Sequence, residues 1–581
     1  HYCAWFAPAE KTFFDNRFAF HAPEAGTFSR LTRLLRDRAR GADPATRDDI
    51  ARLFREYQFG YLVLHHGSDQ NQLTELWPDP QWTPWYMDGR TAVLGWRETL
   101  DGDPGGYNAR LAFDPVRRAF GDQPEPLPVP ERFFPEPRTL LDRYLYPPPE
   151  TPLEAYEAEV LLRYARYRQA LGQQHARFVN FARTVLQGAA PLLSAPVALA
   201  PTPPRQDAAQ AVGLLAVRAC RRAAAAAPDD PVAYFHLSQA YDLFMPAEDL
   251  RGLQTLTALR RARDRQPPPE VASAGECLLG TDTAFALSRL HAARGQYDLA
   301  LAQLRQAIAY LERYLQLPPD PRADPGRVRE MLTGLRDLRW PGIELPPEEF
   351  LREASDRYEN RAKLAPTVIQ RVRIARDFGL WEEAMNLCRS ALQPDAAEMN
   401  PDIQSLVVVN LIEMELQCGM AEQVASDLTQ LFGNAPDGGT DRLLPDLREQ
   451  FLSQRWRVAL ALGDYPAAGE VFGRWARLLT LDAQTRAKMA ARTLAAMGMP
   501  WLGNQPVLAL FTSDLLGAAV GEGDRRLRRA LIALEEGDLE AARLHLRQAV
   551  RPYAMDVTYA SGSLAAHFLR LMDRAAGREQ E

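Results

Sequence analysis

The residues able to do chemistry are few and scattered. His65 and His66 end an apolar run beside Ser68 and Asp69, the densest such cluster. Adjacent residues of a strand point to opposite faces, so two neighbouring histidines rarely ligate one metal. A strand-end pair is the expected reading, with metal or general-base chemistry the alternative. Asp15 with Arg17 could orient a sugar or a phosphate, or could simply form a loop ion pair. No P-loop, GxGxxG, HExxH, GxSxG or EF-hand spacing occurs. Gly102-Asp-Pro-Gly-Gly106 opens no helical pattern and reads as a turn. Cys3, Cys220, Cys277, Cys388 and Cys418 are odd in number and widely spaced, which argues against a disulfide framework or a zinc site. Cys220, Cys388 and Cys418 fall in helical apolar patterns and are expected in the core. No catalytic residue, no metal and no cofactor is therefore expected.

Charge and composition narrow the classes further. The 581 residues carry a net charge of −7, with 46% hydrophobic and 25% charged residues. That is a globular composition without a basic field for a nucleic-acid backbone. Of the 68 basic residues only Lys11, Lys363 and Lys488 are lysine, a bias expected of GC-rich, bacterial coding. Arg260, Arg261, Arg263 and Arg265 are interrupted by Asp264 and cover more than one side of a helix, so a solvated face is expected. No aromatic-and-basic platform for single-stranded nucleic acid accompanies them. Residues 506–520 are too short for a membrane span, and Asp514 interrupts them. The chain starts at His1 without a signal peptide, so the reading expects a longer gene product upstream.

Three segments must position whatever function exists. Residues 1–100 are rich in aromatics. Phe28–Arg40 and Arg47–Tyr57 read as helices and Phe59–His66 as a strand, while Asp88-Gly89 joins two apolar runs into a hairpin, Trp82–Met87 and Arg90–Trp96. A small α/β domain with one mixed sheet is expected. Residues 101–152 form a proline-rich tether, with Pro124, Pro126, Pro128 and Pro130 opening its densest part. Residues 153–576 are helical almost throughout, in stretches broken by Pro, Gly and Asp.

One pattern recurs in the helical part: a glycine, an aromatic or apolar residue two later, alanine three after that, and a small or apolar residue seven further on. Gly295, Tyr297, Ala300 and Ala307 carry it, as do Gly379, Trp381, Ala384 and Ala391, and Gly537, Leu539, Ala542 and Ala549. Gly463, Tyr465 and Ala468 fit with Trp475 last, and Gly419, Ala421, Val424 and Leu431 fit poorly. The glycine would end one helix in left-handed geometry, and the small residues would let the next helix approach closely. These residues, with Ala223, Pro228, Tyr234, Leu237, Ser238 and Tyr241, resemble the tetratricopeptide-repeat (TPR) family. The glycines are 84, 40, 44 and 74 residues apart, and Arg371, Arg455 and Arg529 stand where the family has Leu, so the array is degenerate. The resemblance implies a mostly α fold, a TPR-like α-solenoid of helical hairpins after a small α/β domain. It implies a non-catalytic protein-interaction scaffold whose first helices line a groove for a protein or peptide segment, with Phe235, Gln239, Phe285 and Arg289 on that side. Another all-helical array is the alternative, and Phe235 and Phe285 packed against a neighbouring helix is the alternative for the site.

A second resemblance covers residues 1–100. Phe13-Phe14-Asp15-Asn16-Arg17, Ala22-Pro23-Glu24, Phe59–Leu64, and Trp82, Tyr86, Asp88, Gly89, Ala92 and Val93 resemble the soluble segment after the last membrane span of GT-C-like membrane glycosyltransferases. Asn16 departs from the usual Gly. This resemblance implies the non-catalytic tail of a membrane protein whose acidic catalytic loops and membrane spans lie upstream of His1, on the extracytoplasmic side of a bacterial membrane. An unrelated small α/β domain in the cytoplasm is the alternative.

Overall fold

Alternating apolar residues at 82–96 and an amphipathic stretch at 44–56 build the first structural layer. The computed structural model describes, in the main, residues 29–35, 44–57, 60–65, 81–87, 91–96, 111–121, 152–166, 205–244, 248–318, 325–393, 400–432, 445–464, 525–553 and 560–577. Its described residues are mostly helical, with one small three-stranded antiparallel sheet. They fall into two compact units, one drawn from residues 1–119 and 125–219 and the other from 120–124 and 220–581. Among the described residues no helix is long and apolar enough to cross a membrane. Residues 506–520, most of the tether and the Asp15–Arg17 segment lie outside them.

In the first unit, helix α1 (Pro44–Glu56) precedes β1 (Tyr61–His65), β2 (Trp82–Met87) and β3 (Thr91–Trp96). The order is β1-β3-β2, and both pairings are antiparallel. The expectation of a mixed sheet is thus corrected. The hairpin places β3 beside β2, and β1 joins the free edge of β3 in the opposite direction, so no parallel crossover is needed. The register shifts at Trp85, between Pro84 opposite Leu94 and Tyr86 opposite Val93. That extra residue restores parity, so that Trp82 and Met87, an odd number apart, both face the core. There Trp82 meets Trp96 at 4.9 Å, and Phe54 of α1 packs edge-on against Trp82 at 4.9 Å.

Two further pieces join this unit. Helix α2 (Pro115–Phe120) is capped by Asp114, whose carboxylate accepts from the Val116 amide at 2.9 Å. The Phe113 amide donates to Pro84 at 2.8 Å, and the Phe113 ring meets Tyr164 edge-on at 5.7 Å. Helical residues 153–166 therefore pack with the first unit. The division between units falls near residue 220.

The second unit is a chain of helices. It starts in α3 (Arg205–Ala226) and continues through α4 (Pro231–Phe244), α5 (Glu248–Asp264), α6 (Ala274–Ala293), α7 (Tyr297–Gln316), α8 (Pro325–Arg336) and α9 (Pro347–Ala362). Then come α10 (Val368–Asp377), α11 (Trp381–Ala391), α12 (Pro401–Gln417), α13 (Ala421–Phe432) and α14 (Pro445–Leu462), and later α15 (Leu539–Tyr553) and α16 (Ala560–Ala575). Consecutive helices pair: α4 with α5, α6 with α7, α10 with α11, α12 with α13, and α15 with α16.

Five helix ends share one turn geometry, three of them inside these pairs and two of them after α14 and before α15. Gly295, Gly379, Gly419, Gly463 and Gly537 take φ of 70°, 75°, 74°, 75° and 81°. After each, the next amide reaches back five residues: Gln296 to His291, Leu380 to Ala375, Met420 to Glu415, Asp464 to Ala459 and Asp538 to Ala533. This bond satisfies carbonyls that a helix end leaves open, and the left-handed glycine makes it reachable. The following alanines are buried as the spacing requires. Ala300, Ala384 and Ala542 are 0% exposed and Ala468 is 1%.

Replacing Ala300, Ala384 or Ala542 by leucine should overpack these contacts and cost about 1–3 kcal/mol each. Thermal melting checks this, and unchanged midpoints at all three sites would refute close helix approach there.

Candidate functional site

The arginines at the C-terminal end of α5 and just beyond it do not form a solvated face. The side chains of Arg260, Arg261 and Arg265 are 20%, 17% and 21% exposed. Arg261 donates to Glu422 at 2.9 Å and to the Leu462 carbonyl at 3.4 Å, and Arg265 donates to Glu422 at 3.0 Å. Their helix is covered because the hairpin turns gather on it. The Gly419 turn lies against the backbone of Leu256. The turn before α7 joins the same assembly. The Tyr297 amide donates to the Gly379 carbonyl at 3.0 Å, and Asp298 accepts from the Glu382 amide at 2.7 Å. Arg294 donates to the Gln417 carbonyl at 3.0 Å. Burial raises the Asp298 carboxyl, opposed by backbone amides that donate to it.

A cleft of ≈ 620 Å³ opens where these elements meet. Helix α5 contributes Thr257, Arg260, Arg261 and Asp264. Leu299 of α7 and Met385 of α11 form apolar walls with Met420. Glu382, Arg389 and Glu422 supply further charge. Arg389 is committed to Glu415, at 2.5 Å. Glu415 is fully buried, and burial pushes its carboxyl up to about 8, with Asp427 adding to the rise and Arg389 opposing it.

A buried charged group sits elsewhere in this unit. Arg221 donates to Glu535 at 3.0 Å, and the Tyr241 hydroxyl donates to the same oxygen at 3.4 Å. Burial raises the Glu535 carboxyl to about 7 against the pull of Arg221. His291 is 0% exposed, joined through Nδ1 to Gln296 at 2.6 Å, and burial lowers it to about 4. Among the described residues no group of three or more His, Cys, Asp or Glu could hold a metal ion. His65 ends β1, while His66, Ser68 and Asp69 lie outside the described residues. Cys220, Cys277, Cys388 and Cys418 are buried free thiols.

The four residues expected on the groove side are placed as follows. Phe235 of α4 is half-buried against the cluster of Leu256, Leu259 and Leu287. Gln239 is half-buried one turn along. Phe285 of α6 is half-buried against a different cluster, which contains Leu304 and Tyr310. Arg289 is exposed, with its guanidinium 5.9 Å from the Phe285 ring. Neither phenylalanine is fully enclosed. The cleft on α5 was missed because its lining comes from segments far apart in the chain, the outermost being Thr257 and Gln423. Its sole local signal is the spacing of Thr257, Arg260, Arg261 and Asp264 on one helix side.

Comparison with family models, curated proteins and solved structures returned no match.

Proposed function

We propose that the second unit is a degenerate TPR-like helical array serving as a non-catalytic scaffold for a protein or peptide partner. The observation that carries this reading is the repeated turn: five helices end on a left-handed glycine with the same backward hydrogen bond. Repeated hairpins of this kind stack into a ribbon whose first helices present a continuous surface. On that surface the half-buried rings of Phe235 and Phe285 offer apolar area, and Arg289 offers a guanidinium for a carboxylate. Partner identity does not follow from the fold.

The test compares the wild-type chain with Phe285→Ala and Arg289→Ala in quantitative affinity capture. The expected result is a partner retained by the wild type and depleted at least tenfold by both variants, at unchanged melting temperature. Identical partner profiles for all three chains would remove Phe285 and Arg289 as the docking site.

A second reading makes the chain the accessory tail of a GT-C-like lipid-linked sugar transferase. Its support is that β2 and β3, which carry part of the matched run, pair antiparallel, with Trp82 and Ala92 buried. The sequence encoded upstream of His1 tests it. A series of hydrophobic spans would support the tail reading, and a start codon directly before His1 would end it.

A further inference from the structure

The cleft on α5 contains polar groups that the chain leaves unused. Arg260 is mostly buried, yet among the described residues its guanidinium makes no hydrogen bond. Its nearest charge contact is Asp264 at 3.6 Å, too long for one. Asp264 is itself engaged by Arg263 at 3.0 Å. One helical turn before Arg260, Thr257 is 1% exposed, and its hydroxyl has no partner either. Leaving a buried donor unsatisfied costs about 1–3 kcal/mol, so the Thr257 hydroxyl, beside a guanidinium with no hydrogen bond in the same cleft, points to an acceptor supplied from outside. In the same lining, the Glu382 carboxylate takes no hydrogen bond from the described residues, and it lies within electrostatic reach of Arg260.

Charge balance decides the ligand class. Three guanidiniums and three carboxylates line the cleft. A phosphate dianion on Arg260 would meet the charges of Asp264 and Glu382, which already act on that guanidinium, so like-charge repulsion opposes it. A ligand of zero net charge that carries both signs avoids this penalty. Leu299, Met385 and Met420 add apolar surface to the same lining. The volume of ≈ 620 Å³ falls within the range of about 300–1,000 Å³ typical of small-molecule sites.

We propose that this cleft binds a small zwitterion of the amino-acid class. Its carboxylate is held by Arg260 and the Thr257 hydroxyl, its ammonium by Glu382, and its apolar side chain by Leu299, Met385 and Met420. The site is separate from Phe285 and Arg289 and does not rest on the scaffold reading. Because the cleft joins α5, α7, α11 and the turn before α13, an occupant would tie together helices far apart in the chain.

Isothermal titration of the full chain tests the site, with L-leucine and L-methionine as probes. L-leucinamide lacks the carboxylate, N-acetyl-L-leucine lacks the ammonium, and inorganic phosphate tests a simple anion site. The expected result is saturable binding of at least one free amino acid and at least tenfold weaker binding of its two blocked analogues. Arg260→Gln should weaken binding at least tenfold. Thr257→Val, which keeps the shape and removes the hydroxyl, should weaken it several-fold, and this variant carries the test if Arg260→Gln does not fold. Glu382→Gln should erase the preference for leucine over N-acetyl-leucine. Absence of saturable binding at millimolar probe, tighter binding of phosphate than of either amino acid, or wild-type affinity in both Arg260→Gln and Thr257→Val would each overturn the proposal.

Discussion

Replacing Gly419 by alanine is expected to destabilise the second unit far more than the same change at Gly295. Both glycines hold positive φ, 74° and 70°. For any other residue the left-handed conformation costs about 1–2 kcal/mol, a penalty common to the two sites and the whole of the expected loss at Gly295. The surroundings separate them. A Cβ at Gly295 meets nothing within 4 Å. A Cβ at Gly419 would sit 2.8 Å from the carbonyl carbon and Cβ of Leu256 and 2.9 Å from its oxygen. These atoms include the backbone of a helix, which cannot step aside as a flexible side chain can, so an overpacking cost of about 1–3 kcal/mol is added. The two penalties together bring the loss at Gly419 to about 2–5 kcal/mol. Urea unfolding of the two variants measures the difference. Equal losses would show that the Gly419 turn does not rest on α5, and the cleft beside it would lose its geometry.

Stability should fall as the pH rises from 6.5 to 8.0, by about 2 kcal/mol, and Glu415→Gln should remove most of that slope. The sign follows from which state holds more protons. The Glu415 carboxyl is raised from 4.5 to about 8 in the folded chain, so between these values the native state keeps a proton that the unfolded state has released. Each unit of pH across that interval therefore costs about 1.4 kcal/mol of stability. Glu535, raised to about 7, adds to the fall only in the lower part of the window. The window avoids opposing groups. His291, lowered from 6.5 to about 4, destabilises the fold as pH drops below 6.5 and is neutral in most molecules of both states above it. Cys388 and Cys418 are raised from 9.0, so their effect belongs to higher pH. Glu413 and Glu422 are lowered from 4.5, and their effect belongs to more acid conditions. A urea midpoint that stays flat or rises between pH 6.5 and 8.0 would show that Arg389, at 2.5 Å, keeps Glu415 ionised despite its burial.

The glycine-centred turns and their alanines were legible because their causes are local. A residue that must take positive φ is most cheaply glycine, and a position where two helices touch is most cheaply alanine, so each requirement leaves a mark at a fixed spacing. The β2–β3 hairpin was legible for the same reason, since Asp88-Gly89 between two apolar runs names its own partner strand. The strand directions in full were not. β1 is joined to the hairpin through a long connection, and its side and sense were decided by where Leu64 could enter the core with Leu94 and Trp96. The fate of the α5 arginines was likewise invisible in the sequence. Arg260, Arg261 and Arg265 look like a solvated face when Glu422 is 157 residues beyond Arg265. Only the gathering of the turns at Gly295, Gly379 and Gly419 around α5 buries them, pairs two with Glu422, and leaves Arg260 and Thr257 facing a cleft without an acceptor. Local backbone and contact demands are written residue by residue. The chemistry of a site built from four distant segments depends on which turns meet, and packing across the whole unit decides that.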